Sequence, residues 1–124
     1  YILFFLISLL FFLSFYNIIV LYNIMKKKPV KVDIKRDTTT KKKMVAIFYD
    51  KDNKKIKTTR FGADGYTDYI KSGGDKERKA RYLKRHSKEK GGVMTASTLA
   101  KDILWNKPTL KASISNYKQK FNLK

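Results

Sequence analysis

The first 25 residues, Tyr1 to Met25, contain no Asp, Glu, Lys, Arg, His, Gly or Pro. At a helical rise of about 1.5 Å per residue, this run is long enough to cross a hydrocarbon core of roughly 30 Å. A lone span in lipid must satisfy its backbone hydrogen bonds internally, which leaves the helix as its workable state. A core helix of a soluble domain would seldom be apolar on every face over such a length. A cleaved signal peptide would be shorter and would end at small residues, whereas this run exits through Asn23, Ile24 and Met25 into Lys26, Lys27 and Lys28. The sequence therefore predicts a single transmembrane helix over residues 1–25. Ser8 and Ser14 can bond back to carbonyls of their own helix. Asn17 is less comfortable in lipid and suits a contact with another helix, and Tyr16 and Tyr22 suit the interface below the lysines.

All of the formal charge of +19, from 29 basic and 10 acidic residues, lies beyond Met25. Lys26, Lys27 and Lys28 are expected to contact lipid headgroups and, with the basic region behind them, to orient that region toward the cytoplasmic side. A more basic stretch ahead of Tyr1 would alter this orientation. The absence of Cys and of an N-x-Ser/Thr acceptor fits a domain on the reducing side of a membrane. A charge this high points to a polyanionic partner: anionic lipid, an acidic protein surface or nucleic acid.

The expected fold class is α+β: the transmembrane helix (1–25), a basic tether (26–43), and a small basic domain (44–124) with a β-hairpin and about three helices. Pro29 stops the first helix from running on. Val30, Val32 and Ile34 alternate with polar residues, which fits either an edge strand or extended chain. Met44–Tyr49 reads as a buried strand, Asp50–Asn53 as a turn and Lys54–Phe61 as a second, more polar strand, with Gly62 and Gly65 in the following turn. Asp75 is a candidate N-cap for a basic helix with no breaker until Gly91, its narrow apolar stripe made by Ala80, Tyr82 and Leu83. Thr95 caps a further helix with Ala96, Leu99, Ala100, Ile103 and Leu104 on one face. Pro108 breaks the chain before a last helix striped by Leu110, Ile114, Tyr117 and Phe121. The core is expected to be thin, with Trp105 at the joint and neighbours helping to hold it.

Catalytic chemistry has little to work with. His86, the one histidine, sits among cations, and Glu77 and Glu89 are the only glutamates. Glu77 and Arg81 have helix-surface spacing. No catalytic, cofactor-binding or metal-ligating residues are assigned, no small-molecule substrate is expected, and the chain is not expected to be an enzyme. "GADG" and "GGDK" lack phosphate-loop spacing and read as turns. The basic partner-binding face is assigned to Lys76, Arg78, Lys79, Arg81, Lys84, Arg85 and Lys88, with Lys90 beyond them. The abundance of Lys, Asn and Ile suggests an AT-rich genome, which raises Lys everywhere. A docking joint is assigned to Trp105, Asn106, Pro108 and Leu110, since exposed aromatics suit interface anchors.

The order "RFGADGYTDYI", "DKERKARYLKRH" and "MTASTLAKDILWNKPTLKASISNYKQKF" resembles a family of small, functionally unassigned proteins of large double-stranded DNA viruses of algae and protists. The resemblance spans roughly Thr58 to Phe121, and "ILWNKPTLKASI" is its most specific part. It implies a virion with an internal membrane beneath an icosahedral shell. The expected function is then a minor capsid protein anchored in that membrane and linking it to the inner face of the shell. Its expected partners are lipid and capsid proteins, and its expected place is the virion, and host membranes during assembly. The alternative is a membrane-tethered nucleic-acid-binding protein, whose affinity would fall steeply with salt.

Overall fold

Helix α1 runs from Ile2 to Lys26 in the computed structural model, which describes residues 1–124 apart from the side chain of Lys26. None of its candidate membrane span, Ile2–Met25, is buried against the rest of the chain, unlike a core helix of a soluble protein. The last turn closes with the N–H of Lys27 donating to the Asn23 carbonyl (3.2 Å) and that of Lys28 to Met25 (3.2 Å). Pro29 follows, and the Val30 N–H already donates to Tyr49 (2.9 Å).

Three strands, β1 (Lys31–Arg36), β2 (Lys42–Tyr49) and β3 (Lys55–Ala63), form an antiparallel sheet in sequence order. Of the two states open to the Val30–Ile34 stretch, the strand is formed. Val32 pairs with Phe48 and Ile34 with Ala46, and Val32 is buried. The stretch read as a tether, 26–43, therefore contributes a strand to the sheet. Its alternation has core residues to meet, because β2 supplies Met44, Ala46 and Phe48 on the same face. The free connection between α1 and the sheet shrinks to residues 27–30, at most about 14 Å of chain.

Each turn of the sheet is tied by an aspartate. Asp37 accepts from the Thr39 N–H (2.9 Å) and from the Thr39 and Thr40 hydroxyls, and lies 3.3 Å from the Arg60 guanidinium of β3. These partners, the Thr40 hydroxyl first, hold its pKa down to about 2. Asp50 accepts from the N–H groups of Asp52 and Lys54, both at 2.9 Å, and Asn53 takes a left-handed φ of 60°.

The inner face of the sheet is covered by helices that follow it. Helix α2 (Lys76–Arg85) is capped by Asp75, whose side chain accepts from the Arg78 N–H (3.0 Å). It stops five residues short of the basic run expected to be helical. His86 folds back on Tyr82 and pairs with Glu89, so Lys88 and Lys90 lie beyond the helix. Ala80, placed on its apolar stripe by sequence, faces solvent. Helix α3 (Ala96–Leu99), capped by Thr95, widens into a π turn over Ala100–Leu104. Leu99 of α3 and Ile103 and Leu104 of the π turn join the core, and the turn buries Asp102, whose carboxylate pairs with Lys120 (3.0 Å). Helix α4 (Leu110–Lys120), capped by Thr109, adds Tyr117, fully buried, with its hydroxyl donating to the Val93 carbonyl. Leu123 closes the core, and Lys124 hydrogen-bonds both Val30 and Val32 beside β1. Leu123 is thus a core contribution that the hairpin-and-helices reading left out, while β1 realises the edge strand that reading held open.

Candidate functional site: an arginine-walled cleft

Gly62 decides how close the π turn comes to the sheet. It lies inside β3, not in the turn expected around it, with φ of 81°. A Cβ there would sit 2.6 Å from Leu104 Cδ1. Bare backbone at this point lets Leu104 close on β3. Beside that contact, between α2 and the 62–68 segment, runs an open cleft of about 460 Å³.

One wall of the cleft is α2. Tyr82, its buried residue, stacks flat on Trp105 (4.2 Å between centroids, 3° between planes) and, on its other face, on His86 (4.3 Å). Burial and the Glu89 carboxylate raise the pKa of the Tyr82 hydroxyl while Arg85 opposes them, so the platform stays neutral. Lys79 points to the joint. Its ammonium donates to the Asn106 carbonyl (2.6 Å) and lies 4.9 Å from the centre of the Tyr69 ring. Thus α2 is pinned by one ammonium and one aromatic stack, with its arginines left over. Arg78, Arg81 and Arg85 all border the cleft, whereas Lys76, Lys84 and Lys88 are exposed and do not line it.

The opposite wall carries Lys43, Tyr66 and Asp68. Asp68 is buried and accepts from the Lys43 ammonium (2.7 Å) and the Lys71 N–H (2.8 Å). Lys43 donates to the Tyr66 carbonyl as well. The Asp68 charge is therefore matched within its own wall and is not spent on the arginines. Arg81 and Arg85 have no ion pair among the described residues, and Arg78 only a loose one, its Nε 3.7 Å from Asp75.

The basic helix and the docking joint meet through Tyr82 and Lys79. Trp105 is half-buried, stacks on Tyr82 and lines the cleft. The Asn106 amide donates to the Asn116 side chain (2.7 Å), Pro108 is exposed, and Leu110 packs at the margin of the core. Ser113, fully buried, clasps the joint through the Lys107 N–H (3.0 Å) and carbonyl (3.4 Å). Lys27 and Lys28 are exposed at the end of α1, and the Lys26 side chain lies outside the described residues.

Sequence reading missed the far wall and a second set of lysines. The Asp50–Lys54 turn stands at the end of the sheet where the chain enters from α1, and the Lys51 ammonium lies 5.1 Å from the centre of the Tyr22 ring. Lys31, Lys51, Lys54, Lys55 and the C-terminal Lys124 share that end. The hairpin turn was legible, but its place next to α1 required knowing that β1 pairs.

Residues 32–86 match a family of unknown function (DUF5754). The match starts in β1 and stops where α2 ends, so it takes in the sheet and the arginine wall but neither α1 nor Trp105. No curated protein and no solved structure matches the chain.

Proposed function

We propose that this chain is a minor capsid protein of a large double-stranded DNA virus, anchored by α1 in an internal membrane and linking it to the inner face of the protein shell. The observation that carries this reading is the division of the positive charge. One set of lysines stands at the α1 end of the sheet, where an anionic leaflet would meet it at about 1 kcal/mol per residue. The arginine cleft stands at the other end, about 17 Å along β1, where Gly62, Ala63 and Lys43 line it. A connection of residues 27–30 keeps the head close to the bilayer, so its reach is the length of the sheet and not the slack of a tether. Such a head spans a narrow gap between two negative surfaces, one of lipid and one of protein. The viral setting rests on the resemblance of the Thr58–Phe121 motifs.

Purified virions stripped with detergent test it. The protein is expected to remain with the shell at constant stoichiometry, and its absence from such particles contradicts the proposal. A nucleic-acid tether would show itself differently, as duplex binding by the full chain that collapses between low and moderate salt.

A further inference from the structure

The chain holds 29 basic side chains, of which five are arginine: Arg36, Arg60, Arg78, Arg81 and Arg85. Three of those five border one cleft, while the lysines of the same helix do not. In a lysine-rich chain this segregation is chemical, because a guanidinium offers a planar fork of donors that an ammonium cannot. Arg78 Nε is buried and makes no hydrogen bond among the described residues, the Asp75 carboxylate lying 3.7 Å away.

We infer that the cleft binds an extended acidic peptide segment of a partner protein, with carboxylates on alternate residues seated on Arg81 and Arg85. This rests on the proposed docking to an acidic protein surface and names the chemistry that would dock. The spacing supports it. Arg81 and Arg85 are one helical turn apart, about 6 Å along the axis. Side chains on one side of an extended peptide recur every two residues, about 6.7 Å. Consecutive carboxylates of a strand laid along α2 thus meet consecutive guanidinium forks, each able to make paired charge-assisted bonds. Arg78, three residues before Arg81 on the same wall, takes a third acceptor. A volume of about 460 Å³ suits a few side chains of a peptide. The Tyr82 ring is stacked on by both Trp105 and His86, and Trp105 itself lines the cleft.

The test uses the full chain in nanodiscs of zwitterionic phosphatidylcholine. It is titrated with a fluorescent hexapeptide alternating glutamate and serine, with the isomer carrying its three glutamates in a block, and with a short DNA duplex. The alternating peptide is expected to bind about tenfold tighter than the block isomer, the worth of one well-made charged hydrogen bond. Arg81→Lys combined with Arg85→Lys keeps the charge and removes the forks, and is expected to erase that preference. Lys76→Gln combined with Lys84→Gln is expected to preserve it. Equal binding of the two isomers, or a preference that survives the Arg→Lys pair, overturns the inference in favour of plain electrostatics. Tighter binding of the duplex, lost in the Arg→Lys pair, overturns it in favour of phosphate. Retention of the protein by stripped virions does not depend on any of these results, so the inference can fail while the proposed function stands.

Discussion

Gly62 and Asp37 show how single residues shape the cleft and the sheet beside it. Gly62 combines a positive φ with a side chain of the π turn lying where a Cβ would go. Gly62→Ala is expected to cost about 2 kcal/mol or more from the backbone alone, and to push Leu104 off β3. Chemical denaturation gives the first quantity, and chemical-shift changes confined to Gly62, Leu104 and the cleft would report the second. Asp37 acts through charge. Its folded pKa of about 2 lies below the ordinary aspartate value of about 3.9, so its contribution is present above that value and lost as pH falls through 2. The thermal midpoint of the wild type is expected to drop between pH 4 and pH 2 more steeply than that of Asp37→Asn. Equal slopes would mean that the threonine clasp contributes no pH dependence.

Helix α2 and helix α4 are held by different means, and each makes its own prediction. The hold on α2 is Tyr82 stacked on Trp105 together with Lys79 on the joint. Trp105→Ala is expected to raise hydrogen exchange across Lys76–Arg85 at least tenfold while β2 amides stay protected; uniform loosening would place Trp105 in the main core. Tyr117 anchors α4. Burial, helped by the Asp102 carboxylate, pushes its hydroxyl well above the ordinary tyrosine range, so it remains a donor to Val93. Tyr117→Phe leaves that carbonyl unpaired and is expected to cost about 1 kcal/mol in denaturant unfolding. Much of this architecture was legible in the chain. The uncharged run, the hairpin, the caps Asp75 and Thr95 and the break at Pro108 are local signals, and local physics placed them. What escaped was non-local or compensated. β1 reads equally as edge strand or extended chain because its partners lie in β2. Asp102 is buried in the π turn because Lys120 of α4 reaches it. The cleft's second wall, Lys43 with Asp68, joins residues 25 apart in sequence. For Asp37 the cue was present in "DTTT", an aspartate followed by hydroxyls at turn spacing.

Across the molecule, a neck of residues 27–30 joins α1, a candidate membrane span, to the head. The lysines at the α1 end are expected to hold the sheet upright on an anionic leaflet. In nanodiscs containing phosphatidylserine, amides of residues 50–55 should exchange more slowly than in phosphatidylcholine alone. Reversal of Lys51, Lys54 and Lys55 to Glu should abolish the difference; a difference that persists would assign it to something other than headgroup contact. Under the proposed function, the arginine cleft is then expected to face away from the bilayer. For the proposed link between membrane and shell, the deciding experiment is a density map of the virus particle at side-chain resolution. It is expected to show residues 27–124 between the internal membrane and the shell, with Arg81 and Arg85 against carboxylates of a shell protein. Density for the head on the genome side of the bilayer, with α2 lying along DNA, would contradict it.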